Sequence, residues 1–238
     1  MTQEPSFESI ERSLKRAAAA LSERDIPFML GGSLAAWARG GPPSHNDLDL
    51  VVRPADAERA LAALVDAGME PERPPEDWLL KANDDGVTID VIFKLIGLDV
   101  TDELIDRAER IEVAAMSVRV MDPEDVLSSK LLALNEHSLD FEGALQMARA
   151  LREQIEWREV ERRTGASPYA RAFFGLLEEL AIVSRDAQPL AGALGDPGDG
   201  VPEDAAPSPP AGPASRSASR ARSRNSRSEG PAARRPTR

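Results

Sequence analysis

The sequence predicts a mixed α/β fold of the α+β class, a small mixed β-sheet flanked by helices and followed by a region of helices alone. Short apolar runs alternate with helical periodicity up to Met121, and only helical periodicity continues after that residue. Of the 238 residues, 42% are hydrophobic, which is enough for a buried core. Beyond about residue 185 the chain is rich in Ala, Pro, Gly, Ser and Arg, without an apolar period, which predicts disorder.

The first half of the chain supplies the predicted sheet. Ile10, Leu14 and Leu21 recur at helical spacing in a first helix over residues 5–24. Residues 83–86 are turn formers between two apolar runs, which predicts a hairpin with Asp84 and Asp85 at a solvated tip. The predicted strands are 26–30, 47–52, 78–82 and 87–93, with a β-rich segment at 111–120; the predicted helices are 33–39, capped by Ser33, then 56–67 and 101–110.

The second half begins at a helix start. Asp122 is a suitable N-cap, Pro123 fits the first turn, and Glu124 lies near the positive end of the helix dipole. Further helices are predicted at about 140–153, 156–163 and 168–182. We therefore divide the chain into a mixed α/β domain (1–121), a helical domain (122–184) and a disordered tail (185–238).

The charge distribution narrows the classes of function. The net charge is −12, and residues 186–238 carry eight Arg and six acids, so the preceding body is more acidic than the whole chain. Such a body repels a phosphate backbone unless it has a basic patch, but it suits a metal-dependent site. The Arg/Ser segment at 215–227 is either a basic nucleic-acid arm or a solubilising end.

The composition also bears on location and cofactor. There is no cysteine, which excludes disulfides and thiolate metal sites and fits a reducing cytoplasm. No run of about 18 apolar residues is present, so we expect no membrane span. A metal site in this chain would therefore have oxygen or histidine ligands.

Three aspartates form a candidate metal site. Asp47 and Asp49 are two residues apart on a predicted strand, so both side chains point to the same side. Two such carboxylates repel each other unless a cation lies between them, and oxygen ligands suit Mg²⁺ or Mn²⁺. Asp90 is a third acid within an apolar strand, where burial is costly unless the charge is paired or metal-bound.

A glycine turn forms a candidate phosphate site. Gly31, Gly32 and Ser33 lie between a predicted strand and a predicted helix. Glycine permits close approach of a phosphate, and free N–H groups at a helix start attract anions. A phosphate cradle and three carboxylates together fit in-line nucleotidyl transfer, with an NTP as co-substrate and Asp90 nearest the attacking group, as ligand or base.

The order of these motifs resembles the nucleotidyltransferase superfamily, with its polymerase-β-like fold. The resemblance covers roughly residues 20–150, and is strongest for AbiEii- and MNT-type and lincosamide-type enzymes. It implies a small mixed sheet, a helical domain after it, and metal ligation by Asp47, Asp49 and Asp90. The segment from Pro123 to Leu131 is similar to a Pro-Glu-Asp…Lys-Leu helix of AbiEii-type proteins, which places Lys130 at the nucleotide.

Several residues have two interpretations. Lys130 is either a nucleotide ligand or a solvated helix residue, and Asp140 is a weaker match to an acid that follows in AbiEii-type proteins. His137 follows Lys130 by about two helical turns and either lines the same face or has no role in the site, and His45 either contacts phosphate or belongs to a loop. A basic patch for RNA was considered on the late helices, from Arg149, Arg152, Arg158, Arg162 and Arg163.

Two classes of function follow. The first is a metal-dependent enzyme that transfers a nucleoside monophosphate from an NTP to an acceptor hydroxyl, on a small molecule or, in a toxin with an antitoxin partner, on RNA or protein. The second is a non-catalytic nucleotide-binding module on the same fold. The presence of all three carboxylates favours the enzyme.

Overall fold

The computed structural model describes residues 6–43 and 47–183, which form a mixed sheet with helices packed around it. The strands are β1 (Phe28–Leu30), β2 (Leu48–Val52), β3 (Glu70–Glu72), β4 (Leu79–Asp84), β5 (Val87–Ile92), β6 (Glu109–Val113) and β7 (Met116–Val120). The helices are α1 (Phe7–Ser22), α2 (Gly32–Ala38), α3 (Ala57–Asp66), α4 (Asp102–Arg107), α5 (Pro123–Ala133), α6 (Glu142–Leu151), α7 (Trp157–Thr164) and α8 (Pro168–Glu179).

The sheet confirms the predicted mixed α/β fold. Its strand order is β3-β4-β5-β2-β1-β7-β6. At its centre β2 runs parallel to β5, while β1 and β4 are antiparallel to their neighbours β2 and β5. The parallel pairing places Asp49 directly opposite Asp90, so two of the three predicted site residues are cross-strand neighbours.

Helix α1 covers one face of the sheet. Its N-cap is Ser6, whose side chain accepts a hydrogen bond from the backbone N–H of Ser9. Leu14, Ala17 and Leu21 are at most 1% exposed, as the apolar spacing predicted, and α1 packs against α3. Burial of this stripe leaves the opposite sheet face to the polar residues of β2, β4 and β5.

The predicted hairpin between β4 and β5 is confirmed, but its tip is not uniformly solvated. Asp85 (φ 50°) and Gly86 (φ 89°) make the turn, and both are exposed. Asp84 is 4% exposed and forms an ion pair with Arg16 of α1, so the prediction of a solvated Asp84 was wrong. A pairing partner distant in sequence compensates the cost of burying this acid.

Two β features go beyond the predicted elements. The β-rich segment at 111–120 is part of a hairpin of β6 and β7, which turns at Ala114 and Ala115, both with positive φ. The short strand β3 pairs with β4 at the sheet edge and all its residues are exposed. The turn at Ala114 and Ala115 has no glycine or asparagine to signal a hairpin, and an exposed three-residue strand has no apolar pattern.

Two predicted helix caps differ in the structure. Ser33 lies inside α2, and the N-cap is Gly31, without a side-chain cap. Asp122 is at the N-cap position of α5, yet its carboxylate accepts hydrogen bonds from Arg39 and Arg107, each at 3.0 Å, instead of capping the helix. Charged donors are stronger partners for this carboxylate than the backbone N–H groups of α5.

The helices after Met121 pack on the sheet domain through α5. Helix α5 contacts α2, α6, α7 and α8, and the buried residues of both regions form one hydrophobic cluster. The boundary at 121/122 stays a prediction. The tail assigned to 185–238 lies outside the described residues, and within the described part of the chain no helix has the length and apolar character to cross a bilayer.

Candidate active site

A row of charged side chains crosses three strands of the sheet. Lys81 on β4 is opposite Asp90 on β5, and Asp90 is opposite Asp49 on β2. Residues directly opposite one another point to the same face, so all three side chains lie on one side of the sheet. Backbone pairing between the strands thus fixes the relative positions of two aspartates and one lysine.

Asp49 is electrostatically unfavourable as an anion in this fold. Burial, together with the negative charges of Asp90 and Asp47, raises the pKa of Asp49 to about 7, against the opposing charges of Lys130 and Lys81. The same side chain is half-buried and lies against the glycine turn that follows β1. An additional positive charge at this position would favour the ionised form.

Asp90 is held by an ion pair. Its Oδ1 accepts a hydrogen bond of 2.6 Å from Lys81 Nζ, and its side chain is 10% exposed. Burial raises the pKa of Asp90, whereas the bond and charge of Lys81 lower it. The carboxylate keeps a second oxygen that no described bond occupies.

Asp47 completes the set on the same strand. It is exposed, directly precedes β2, and follows the undescribed residues 44–46. Its charge acts on both Asp49 and Lys81, so it lies near them, and its spacing of two residues from Asp49 in extended chain directs it to the same face. The structure thus brings Asp47, Asp49 and Asp90 to one face.

The metal assignment of these acids stays a prediction. Within the described ranges, no three acidic or histidine side chains are gathered closely enough to form a preassembled metal site. The donor chemistry nevertheless fits Mg²⁺ or Mn²⁺, because it consists of carboxylate oxygens and includes Asp49, whose ionised form is only partly compensated by Lys130 and Lys81. Asp90, bonded to Lys81, is the member with a competing partner.

The glycine turn packs directly on Asp49. Gly32 has φ 55°, and a Cβ atom built on it would lie 1.7 Å from Asp49 Oδ2. A Cβ on Gly31 would lie 2.8 Å from Val51 Cγ2. The Gly31 N–H donates to the Asp49 carbonyl at 3.0 Å, so the expectation that this N–H is free for phosphate was wrong. Glycine is required here to let the turn and the acid share one space.

Replacement of Gly32 by alanine should therefore damage the site. We expect Gly32→Ala to lower the free energy of unfolding by about 1–3 kcal/mol, because the added methyl group meets a carboxylate and the φ is unfavourable. Thermal and urea unfolding measure the loss. The matched control is Gly175→Ala in the exposed part of α8, where a Cβ meets nothing within 4 Å and helix propensity predicts a gain of up to about 1 kcal/mol. Equal stability of the two variants would contradict this description of the turn.

Lys130 approaches the acids from the helical region. It lies in the last turn of α5, is half-buried, and its positive charge lowers the pKa of Asp49. Lys130 is therefore close enough to Asp49 for the two charges to interact. Its contact with a nucleotide stays a prediction.

The remaining sequence candidates do not join the row. His137 lies beyond the end of α5 in a turn, is exposed, and has its Nε2 3.4 Å from Glu136 Oε1, so it does not share a helical face with Lys130. Asp140 accepts a hydrogen bond of 2.8 Å from the Glu142 backbone N–H at the start of α6. His45 lies outside the described residues.

Lys81 is the site residue that sequence reasoning missed. Once the turn at Asp85 and Gly86 fixes the hairpin register, Lys81 must lie opposite Asp90. The turn residues were recognised in the sequence, but the pairing they dictate was not followed to Lys81. The register of β4 and β5 would have predicted a lysine paired with the acid of β5.

The arginines considered as an RNA patch are largely paired with acids. Arg162 and Arg163 both bond Glu159, and Arg163 also bonds the buried Asp125. Arg152 pairs with Glu153 at 2.8 Å. Three of the five arginines thus have acidic partners, which reduces the positive potential of this surface.

The sheet topology, with its paired acids beside a glycine turn, is that of a nucleotidyltransferase. The model of a family described as uncharacterised nucleotidyltransferases matches residues 8–180, and the chain belongs to this family. No curated protein matches the sequence.

The solved structures similar to this chain include antibiotic-modifying proteins. A solution structure of the antibiotic-resistance factor ANT(2'')-Ia is 18% identical, with a TM-score of 0.54, and the match covers 74% of this chain and 98% of that one. A crystal structure of ANT(2'')-Ia with adenylyl-2''-tobramycin is also 18% identical, with a TM-score of 0.52, and covers 68% of this chain and 98% of that one. The lincosamide antibiotic adenylyltransferase LnuA, bound to lincomycin, is 12% identical, with a TM-score of 0.43, over 65% of this chain and 98% of that one. The two ANT(2'')-Ia structures, with TM-scores above 0.5, confirm the fold predicted from the sequence.

Proposed function

We propose that this protein is a metal-dependent enzyme that transfers a nucleoside monophosphate from an NTP to an acceptor hydroxyl and releases pyrophosphate. The observation that carries the proposal is the in-register pairing of Asp49 with Asp90 beside Gly32. Membership of a nucleotidyltransferase family supports the class of reaction. All three acids are present, which favours an enzyme over a non-catalytic nucleotide-binding module.

In this proposal Asp47, Asp49 and Asp90 hold Mg²⁺ or Mn²⁺. When bound, the cation neutralises charge on the triphosphate and on the departing pyrophosphate. The cation adds to Lys130 and Lys81, whose charges alone do not offset the burial of Asp49 and the nearby acids, and so favours the ionised form. Lys130 and the turn of Gly31, Gly32 and Ser33 face the phosphates, where Lys130 supplies a further positive charge.

In this proposal Asp90 is the general base for the acceptor hydroxyl. Its second carboxylate oxygen accepts the proton of the acceptor hydroxyl, whose oxygen bonds to the α-phosphorus. The bond between that phosphorus and the bridging oxygen breaks, and the electron pair leaves with pyrophosphate. A raised pKa makes Asp90 a better base than an ordinary aspartate.

We propose a small molecule as the acceptor. The acidic body of the chain repels a nucleic-acid backbone, and the late-helix arginines are mostly paired with acids. The structure of ANT(2'')-Ia with adenylyl-2''-tobramycin shows that this fold accommodates a small adenylylated product. A toxin that modifies RNA or protein under the control of an antitoxin is the alternative, and the acceptor test below separates the two.

Pyrophosphate release tests the proposed reaction. The full chain is incubated with Mg²⁺ and each of the four NTPs, in turn with a small-molecule extract or with cellular RNA. We expect release above the no-acceptor level with at least one NTP in the small-molecule arm, together with transfer of the α-³²P label to a small product. Label in RNA would support the toxin alternative. Binding of NTP without release in any arm would contradict the enzyme and support the non-catalytic module.

A further inference from the structure

The ion pair between Lys81 and Asp90 differs from the other lysine–aspartate pair of the same hairpin. Lys81 and Asp90 are 25% and 10% exposed, with 2.6 Å between Nζ and Oδ1. Lys94 and Asp77 make a contact of similar length, 2.8 Å, but are 54% and 88% exposed. The first pair is therefore shielded from water and interacts more strongly than the second.

The position of Lys81 brings its charge to all three acids of the site. It is opposite Asp90 across β4 and β5, and its charge acts on Asp49, while the charge of Asp47 acts on Lys81. On the other side, Glu72 of β3 is opposite Lys81 but exposed. Lys81 bonds the buried acid of β5, which places its ammonium group at the acid row.

This arrangement has two physical consequences. A carboxylate has two oxygens, and Lys81 engages Oδ1 of Asp90, which fixes the plane of the group and leaves the second oxygen for another partner. A fixed positive charge beside the acid row also repels a metal cation bound there. Both effects act through Asp90 and through space, without contact between Lys81 and a substrate.

We propose that Lys81 is a positioning residue, which orients Asp90 toward the acceptor hydroxyl and weakens the affinity of the acid row for its divalent cation. The inference rests on the proposed function, because it presupposes that the cation binds at these acids. It assigns to Lys81 a role that opposes tight metal binding while it supports the transfer step.

Equilibrium binding of Mn²⁺ to the full chain, followed by the electron paramagnetic resonance signal of free Mn²⁺, tests the affinity part without any turnover. We expect Lys81→Met to lower the dissociation constant at least about threefold, since a neighbouring positive charge is removed. Lys81→Arg should retain the wild-type value. Lys94→Met is the matched control, and its exposed pair predicts no change.

Steady-state kinetics test the orientation part. With the acceptor found by pyrophosphate release, we expect Lys81→Met to lower kcat about tenfold or more, with less than about a twofold change in KM for the NTP. Lys81→Arg should recover most of kcat. A residue that only supported the fold would weaken Mn²⁺ binding when replaced, so tighter binding together with slower turnover is specific to the proposed role.

The outcomes separate this inference from the proposed function. If Asp49→Asn binds Mn²⁺ as the wild type does, the metal site itself is wrong, and with it the proposed function. If Asp49→Asn loses binding but Lys81→Met binds Mn²⁺ unchanged or more weakly, only the inference on Lys81 is overturned. Unchanged kcat in Lys81→Met would overturn its orienting role.

A second pair of variants covers the case in which Lys81→Met does not fold. Asp90→Asn and the double variant Asp90→Asn/Lys81→Met leave no uncompensated buried charge at Asp90. Both variants lose one proposed ligand and should bind Mn²⁺ more weakly than the wild type, but they differ in Lys81 alone, so the double variant should bind Mn²⁺ more tightly than Asp90→Asn. Equal affinities would overturn the proposal.

Discussion

Replacement of Asp49 by asparagine should lower the rate of nucleotidyl transfer by at least about 10³-fold. The substitution keeps the shape of the side chain but removes the half-buried charge that faces Asp90 and the glycine turn. Loss of a metal ligand removes several kcal/mol of transition-state stabilisation, and each 1.36 kcal/mol is a factor of ten in rate. Pyrophosphate release under saturating Mg²⁺ and NTP measures the effect.

Asp85 provides the control for that variant. It is an exposed aspartate at the tip of the hairpin that carries Lys81 and Asp90, and asparagine tolerates its positive φ of 50°. Asp85→Asn should retain transfer to within about twofold. Full activity in Asp49→Asn, with its fold intact by circular dichroism, would remove Asp49 from the catalytic site.

Without divalent cations, the stability of the wild type should depend on pH through Asp49. The pKa of Asp49 is raised by burial and by Asp90 from 3.8 to about 7. An acid with a higher pKa in the folded than in the unfolded state destabilises the fold when it ionises. The wild type should therefore lose stability as the pH rises from about 4 to about 7, and this contribution should stay constant above that range.

The Asp49→Asn variant has no carboxylate at this position to ionise, so it should not lose stability in this way as the pH rises. At pH 8 with EDTA, we expect the variant to be more stable than the wild type by about 2–4 kcal/mol, the upper end being the full pKa difference at 1.36 kcal/mol per unit. At pH 4 the two should agree closely. Urea unfolding across this pH range is the measurement, and a gap that shrinks as the pH rises would contradict the assigned cause.

Added Mn²⁺ should reverse the order of stability. A ligand that binds only the folded state adds about 4.1 kcal/mol at about 1,000 times its dissociation constant, which exceeds the advantage of the variant. The wild type should gain this stabilisation at pH 8, and Asp49→Asn should gain much less. Comparable gains in both proteins would indicate that the cation binds elsewhere.

The sequence predicted those parts of the fold that depend on local patterns. Apolar runs such as those around Leu50 and Val91 identified β2 and β5, and the turn formers near Gly86 identified the hairpin between β4 and β5. The spacing of two residues on a strand also predicted that Asp47 and Asp49 point to the same side. These features depend on neighbours within a few residues, which the sequence shows directly.

The features that sequence reasoning missed depend on partners distant along the chain. Asp84 is buried because Arg16 of α1 reaches it, and Asp122 bonds Arg39 and Arg107 instead of capping its own helix. The pairing of Lys81 with Asp90 requires the hairpin register as well as the turn. Tertiary electrostatics decided all three, and no window of sequence contains both partners of the first two.

A crystal structure with Mn²⁺ and a non-transferable NTP analogue tests the central claim most directly. We predict an anomalous scattering peak within about 2.5 Å of carboxylate oxygens of Asp47 and Asp49, with the triphosphate between the peak and Lys130. An ordered analogue whose Mn²⁺ peak lies away from both carboxylates would contradict the account.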